Sequence, residues 1–129
     1  MSELLLDTHT LIWFSENDRN LSSALKEQIE SADFVYVSIA SLWEIAIKIS
    51  LGKLALQADY ADIEAQLPAA GILLLPISFA DTVRVCNLPF HHRDPLDRIL
   101  IAQAIERSLV LVSRDRVFTA YPVRQLWID

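Results

Sequence analysis

The feature that most constrains the fold is a series of short apolar runs spaced along the chain. They are rich in leucine and β-branched residues, and most are apolar at every position rather than at every second one. Such runs predict strands that are buried on both faces, as in a parallel sheet covered by helices. The predicted strands are residues 3–6, 34–37, 72–75, 109–112 and 123–127.

The intervals between the predicted strands have helical patterns. Helices are predicted at 11–15, at 21–31 with Ser22 as N-cap, from Ser38 to near Gly52, at 59–70, from a Ser78 cap to about Cys86, and at 95–107. A regular alternation of strands and helices is typical of a three-layer α/β/α domain. We therefore predict one α/β domain over residues 1–129, with a central parallel sheet.

The composition is acidic, with 17 Asp and Glu against 11 Lys and Arg and a net charge of −6. Affinity for nucleic-acid phosphates depends largely on Lys and Arg, so such a domain is a poor general nucleic-acid binder. Either the acids keep the surface soluble, or some of them form a cluster whose charge a cation neutralises. Composition alone leaves both possibilities open.

Nothing in the chain predicts a membrane or secreted protein. The longest apolar-rich stretch, residues 35–51, is interrupted by Glu44 and Lys48 and is too short for a membrane span. Met1 leads directly into a predicted strand, without a signal-peptide pattern. A lone Cys86, expected to pack as a small apolar residue, fits a reducing compartment. We expect a cytoplasmic location.

Five acids scattered along the sequence are predicted to meet at one edge of the sheet. In right-handed β–α–β units every helix starts where the preceding strand ends, and open α/β folds bind ligands at that carboxyl edge. The acids that topology brings there are Asp7, Glu44, Asp94, Asp97 and Asp115.

Each of these acids also has a purely structural interpretation. The alternatives are an N-cap for Asp7, an ion pair with Lys48 for Glu44, an N-cap before Pro95 for Asp94, a helix-dipole contact for Asp97 and a turn for Asp115. A capping box between Ser41 and Glu44 is less suitable, because the helix is expected to start at Ser38.

Taken together, the acids indicate a metal site. Several carboxylates at one place repel one another, and a divalent cation removes that repulsion. All-oxygen ligands favour Mg²⁺ or Mn²⁺ over zinc. Such ions activate water for attack on a phosphodiester, which would leave a 5′-phosphate and a 3′-hydroxyl. The cation would also reconcile an acidic protein with a polyanionic substrate.

Four segments resemble the PIN-domain ribonucleases, and within them the VapC-type toxins of type II toxin–antitoxin modules. The segments are LLLDTHTLIW, SIASLWEIAIKISLGKL, FHHRDPLDRILIAQA and LVLVSRD, and together they span most of the chain. The resemblance places the family's four acids on Asp7, Glu44, Asp97 and Asp115. Asp94 is an additional acid, expected to support the site or cap the helix. Ser113 keeps the hydroxyl of the threonine that is common there.

The resemblance also implies a function and partners. It implies a five-stranded parallel sheet, a homodimer and Mg²⁺-dependent endoribonuclease activity on RNA. It further implies a VapB-type antitoxin whose C-terminal segment inserts a basic side chain into the acidic cleft.

The remaining polar and aromatic residues have open roles. His91 and His92 are poor candidates for metal ligands and are expected to anchor a loop or contact RNA. Arg98 is expected either to contact phosphate or to orient Asp94 and Asp97, whereas Arg114 and Arg116 are candidates for phosphate contacts. Trp13 and Phe14 suit either an interface or the core.

Two other functions compete with the ribonuclease hypothesis. One is a phosphoryl-transfer domain with Asp7 as the nucleophile. The acid expected two residues later in haloacid-dehalogenase-type phosphatases is His9 here, which counts against it. The other is a catalytically silent interaction module whose acids only cap helices.

Overall fold

A computed structural model describes residues 2–129 of the chain. The strands are β1 (Glu3–Leu6), β2 (Phe34–Ser38), β3 (Ile72–Leu75), β4 (Val110–Val112) and β5 (Arg124–Leu126). The helices are α1 (Thr8–Ser15), α2 (Ser23–Ser31), α3 (Ile39–Ser50), α4 (Ile63–Ala69), α5 (Phe79–Cys86) and α6 (Pro95–Arg107). Two 3₁₀ helices lie at Tyr60–Asp62 and Arg116–Ala120.

The five strands form one sheet in the order β3-β2-β1-β4-β5, and every neighbouring pair is parallel. Helices cover the sheet on both sides, so the predicted three-layer α/β/α architecture is confirmed.

The central strands β1 and β4 are apolar apart from Glu3 because each face of the sheet is buried against a different cluster. Leu4 and Leu6 pack into a cluster with side chains of α1, α2, α3 and α4. Leu5, which points the other way, packs into a second cluster built largely on α6. The same alternation on β4 places Val112 in the first cluster and Leu111 in the second. A strand buried on both faces has no position left for a polar side chain.

The strand order creates a crevice between β1 and β4. From β1 the chain moves outward through β2 to β3, and then crosses back to place β4 on the other side of β1. Open α/β sheets bind ligands at the carboxyl ends of the strands where the order reverses in this way. The residues that follow β1 and β4 therefore border the most favourable place for a site.

Most predicted boundaries hold, but two predicted helices and the predicted burial of Cys86 differ from the structure. Helix α1 starts at Thr8 rather than at residue 11, because Asp7 caps it. The predicted helix 59–70 is instead a 3₁₀ turn followed by α4. Cys86 is exposed rather than packed in the core, because it lies in the last turn of α5 on the solvent side.

None of the helices within residues 2–129 is long and apolar enough to cross a membrane.

Candidate metal centre

All five predicted acids line one cavity of about 210 Å³ at the carboxyl edge of the sheet. The residues around it are Asp7, Thr8, His9, Glu44, Lys48, Asp94, Asp97 and Asp115. They come from the starts of α1 and α6, from the middle of α3 and from the loop after β4. The convergence predicted from topology is therefore present in the fold.

Asp7 is fixed at the end of β1 by its own backbone and side chain. Its N–H donates to the carbonyl of Val112 on β4 (3.1 Å), which joins the two strands at the crevice. Its Oδ1 accepts the N–H of Thr10 (2.9 Å) and so caps α1. The residue is only 7% exposed. One carboxylate oxygen is thus used by the helix cap, and Oδ2 remains for the cavity.

Glu44 reaches the cavity from the second turn of α3 and is half-buried. Its Oε1 accepts the hydroxyl of Thr8 (2.7 Å), and its Oε2 pairs with Lys48 Nζ (3.2 Å) one turn later. The predicted ion pair with Lys48 is present. Ser38, not Ser41, caps α3, so Glu44 is free of any capping role.

Asp94 and Asp97 have different roles at the start of α6. Asp94 is the N-cap, and its Oδ1 accepts the N–H groups of Leu96 (2.9 Å) and Asp97 (3.4 Å). Pro95 occupies the first helical position. Asp94 is exposed, whereas Asp97 is half-buried and lies deeper in the structure. The cap thus delivers the Asp97 carboxylate to the cavity.

Asp115 is held by the loop that follows β4. Its N–H donates to Oγ of the buried Ser113 (3.0 Å), and its Oδ1 accepts the N–H of Val117 (3.0 Å). Ser113 therefore holds the backbone of Asp115 through its hydroxyl.

The cavity has a strong negative potential that is concentrated on Asp97. Burial of its carboxyl and the nearby charges of Asp94, Glu44, Asp115 and Asp7 raise the pKa of Asp97 to about 7. Lys48 is the cation among the residues that line the cavity, and it faces Glu44. The excess of carboxylates over cations is what a bound divalent ion would neutralise.

The donor set fits Mg²⁺ or Mn²⁺, although the acids are not drawn tightly together. Within residues 2–129, no three carboxylate, imidazole or thiol side chains are close enough to hold an ion in their present positions. Three of the acids are held apart because they cap different helices, and Glu44 is held by Thr8 and Lys48. The free oxygens nevertheless line one cavity, and hard cations with oxygen ligands keep several waters that would bridge the remaining gaps.

Behind Asp97 lies a chain of hydrogen bonds that the sequence motifs did not reveal. The Tyr121 hydroxyl accepts the N–H of His92 (3.2 Å) and an N–H of Arg98 (3.4 Å). It is also hydrogen-bonded to His92 Nδ1, 2.8 Å away. The other ring nitrogen, Nε2, lies 3.5 Å from Asp97 Oδ2 and has no hydrogen-bond partner within residues 2–129.

Arg98 is a correction to the sequence-based prediction. Its guanidinium is buried and makes no hydrogen bond or ion pair to Asp94 or Asp97. It is 3% exposed, donates to the carbonyls of Pro89, Val85 and Leu88, and stacks under the Phe90 ring. A buried guanidinium with several N–H donors needs several acceptors, and the end of α5 and the loop that follows it supply them. Arg98 thus holds that loop.

The other residues predicted to contact RNA or to anchor a loop are Arg114, Arg116 and His91. Arg114 is exposed beside Asp115, and its guanidinium stacks over Trp13. Arg116 is exposed on the following 3₁₀ helix. His91 packs its ring edge-on against Tyr121, as expected for a loop anchor.

Comparison with known proteins identifies the family. The PIN domain family model matches residues 4–123. Ribonuclease VapC22 of Mycobacterium tuberculosis is 32% identical over 117 residues, which cover 90% of this chain and 89% of that protein. The chain therefore belongs to the PIN-domain family and, within it, to the VapC group.

Solved structures share the fold across almost the whole chain. A chain in the DNA-bound VapBC structure from Salmonella typhimurium matches with a TM-score of 0.71 and 17% identity over 98% of both chains. One in VapBC2 from Rickettsia felis, bound to a promoter DNA fragment, matches with a TM-score of 0.73 and 13% identity over 95% of this chain and 96% of that one. FitAcB from Neisseria gonorrhoeae matches at 0.66 and 21% over 96% of both.

Proposed function

We propose that this protein is a Mg²⁺- or Mn²⁺-dependent endoribonuclease, the toxin of a type II toxin–antitoxin module. The observation that carries the proposal is the convergence of Asp7, Glu44, Asp97 and Asp115 on one cavity at the β1–β4 crevice. The relationship to a named ribonuclease of the same family supports RNA as the substrate.

The four acids would hold the ion, and Asp94 would remain a cap beside them. When bound, the ion would lower the pKa of a coordinated water and neutralise charge on the scissile phosphate. The chain's own contribution is to place oxygen ligands from four segments around one point. Hydrolysis would produce fragments with a 5′-phosphate and a 3′-hydroxyl.

Neighbouring groups keep these ligands in position. Lys48 and Thr8 fix the two oxygens of Glu44, and Ser113 fixes the backbone of Asp115. The Nε2 atom of His92 lies 3.5 Å from Asp97 Oδ2. Arg114 and Arg116, exposed next to Asp115, supply positive charge for the RNA backbone.

A VapB-type antitoxin would inhibit the enzyme by occupying the same cavity. The solved relatives include VapBC toxin–antitoxin complexes. A basic side chain from the antitoxin would satisfy the same uncompensated carboxylates that the metal ion serves. We also propose a cytoplasmic location, because the RNA substrate and the antitoxin would be found there.

A second copy of the chain is proposed to cover an apolar groove of about 340 Å³ between α3, α5 and α6. We define the apolar groove by its lining residues, Ala40, Trp43, Ile47, Ile77, Thr82, Pro95, Leu96 and Ile99. Trp43 is 61% exposed, and Phe79 on the flanking α5 is 84% exposed. Exposed apolar surface of this kind marks interaction sites, and the homodimer implied by the family resemblance would bury it.

The proposed activity is tested with purified full-length protein and total RNA. We expect cleavage with Mg²⁺, none with excess EDTA, and none with the Asp7→Asn or Asp97→Asn variant. Glu64→Gln, which alters an exposed acid on α4 outside the cavity, is the matched control and should cleave like the wild type. Equal cleavage under all conditions would contradict a metal-dependent nuclease centred on these acids.

A further inference from the structure

A group of flat side chains lies directly beside the acidic cavity. The His9 ring stacks on Trp13, with centroids 5.6 Å apart and an interplanar angle of 17°. The Arg114 guanidinium carbon lies 4.5 Å from the centre of the Trp13 ring. The Trp127 ring packs edge-on against Trp13 at 5.9 Å. We call these four residues the aromatic wall.

The aromatic wall and the candidate metal centre form one continuous cleft. A second cavity, of about 280 Å³, is lined by Asp7, His9, Trp13, Arg114 and Asp115. Three of these residues, Asp7, His9 and Asp115, also line the acidic cavity. His9 is two residues after Asp7, and Arg114 immediately precedes Asp115. The wall is therefore at a fixed distance from the carboxylates.

The wall combines a rigid base with exposed planar surfaces. Trp13 is half-buried and packs against the apolar cluster beneath α1. Trp127 donates its Nε1–H to Asp129 (3.1 Å) and supports the Trp13 edge. His9 and Arg114, by contrast, are exposed. Anchoring the C-terminal strand would require the Trp13–Trp127 contact, but not an exposed imidazole and guanidinium at the mouth of the cleft.

The chemistry of these side chains fits a nucleobase better than a phosphate. Aromatic rings and arginine planes stack on bases of any sequence. The Arg114 guanidinium over Trp13 donates one N–H to Asn20 Oδ1 (3.4 Å), and its remaining N–H donors are available to the base edges or to the backbone. A net charge of −6 limits what phosphate contacts alone can contribute, whereas stacking on a neutral base is not opposed by that charge.

We propose that the aromatic wall is a nucleobase-binding subsite, which holds one base of single-stranded RNA next to the phosphodiester at the acidic cavity. This inference rests on the proposed ribonuclease function. It adds that His9, Trp13 and Arg114 bind the base through their planes, and that substrate affinity depends on the base as well as on the backbone.

The test measures binding apart from cleavage. The Asp97→Asn variant of the full-length protein, which should not cleave RNA, is titrated into two fluorescent probes in the presence of Mg²⁺. One probe is a ten-nucleotide oligouridylate, and the other is a ribose-phosphate chain of equal length without bases. We expect the base-bearing probe to bind at least about 5-fold more tightly, as stacking of one base requires. His9→Ala should remove most of that advantage and leave the abasic probe unaffected, and His9→Phe should restore it.

Arg114 separates stacking from charge. Arg114→Lys keeps the charge and loses the plane, so it should hold the abasic probe better than Arg114→Ala does. For oligouridylate it should recover only that charge-dependent part of the affinity, so the preference for the base-bearing probe should be as low as in Arg114→Ala. Equal losses for both probes would mean phosphate contacts only and would overturn the proposal. The proposal would also be overturned if the variants bound both probes as tightly as the wild type does. A loss of binding only to an antitoxin C-terminal peptide would likewise overturn it.

The two proposals fail in different ways. If the protein does not cleave RNA in an EDTA-sensitive manner, the nuclease function is wrong regardless of the binding data. If it cleaves RNA but binds both probes equally, the nuclease function stands and the nucleobase subsite is wrong.

Discussion

The Tyr121 hydroxyl and His92 Nδ1 are hydrogen-bonded across 2.8 Å, so the other ring nitrogen, Nε2, faces Asp97. The two residues are 29 positions apart in the sequence. Tyr121 is itself 4% exposed and accepts a hydrogen bond from the buried Arg98. A buried phenol thus fixes the direction of the imidazole behind the most perturbed carboxyl of the site.

Tyr121→Phe should therefore lower the rate of RNA cleavage. Groups that orient metal ligands from behind contribute about 10-fold to activity or metal affinity. We expect a loss of about that size in kcat, with KM little changed, measured on a defined RNA with saturating Mg²⁺. Tyr36→Phe, which removes a phenol from β2, serves as the control. If Tyr121→Phe is folded and fully active, the imidazole does not need its hydroxyl partner.

The stability of the metal-free protein should depend on pH through Asp97. Its pKa is about 7 in the folded chain against an ordinary value of 3.8, so the folded state binds a proton that the unfolded state releases in this window. The free energy of unfolding should fall as pH rises, by about 3 kcal/mol between about pH 5 and about pH 8.

Urea unfolding with EDTA measures this effect against Asp97→Asn. The variant cannot ionise at that position, so it should lack this decrease and be more stable than the wild type at about pH 8. Adding Mg²⁺ at that pH should stabilise the wild type more than the variant, because the ion neutralises the same carboxylates. If the free energy of unfolding depended on pH in the same way for both proteins, the ionisation of Asp97 would not be the cause of the decrease.

Asp94 should be important for stability more than for cleavage. Asp94→Ala removes the N-cap of α6 and should lower the free energy of unfolding by about 1 kcal/mol while leaving measurable cleavage. Asp94→Ser keeps a capping oxygen and should recover most of the stability. Complete loss of cleavage in a stably folded Asp94→Ser protein would instead make Asp94 a ligand.

Trp43→Glu should convert dimers to monomers. It places a charge at the exposed centre of the apolar groove, where a second copy is proposed to pack. Light scattering after size-exclusion chromatography measures the mass. Phe34→Glu is the control, because Phe34 is also exposed (43%) but does not line the apolar groove. It lies at the start of β2, at the amino ends of the strands. A monomeric wild type would contradict the assignment.

The sequence was most informative where local patterns determine structure. Continuous apolar runs identified the strands, and Ser22, Ser78 and Asp94 were recognised as candidate N-caps from the residues around them. The helix predicted to start at Ser38 begins there, with Ser38 as its cap. Topology then placed the five acids at one edge, because every helix of a parallel sheet starts there.

Long-range partners of polar side chains could not be predicted in the same way. Arg98 looked like a site residue because it stands next to Asp97, but successive helical residues point in different directions. Its acceptors belong to a loop around Leu88. Tyr121 gave no local signal at all, since its role depends on His92 and Arg98 approaching it in the folded chain.

Three of the cavity's acids begin helices, and this has a practical consequence for making an inactive form of the protein. Asp7, Asp94 and Asp115 each cap a helix, so replacing any of them with a residue that cannot cap, such as alanine, alters chemistry and folding together. Glu44 and Asp97 cap nothing, and removing either charge relieves crowding. A harmless protein for expression or for complex formation with its antitoxin is best made at those two positions, where inactivation and misfolding are separable.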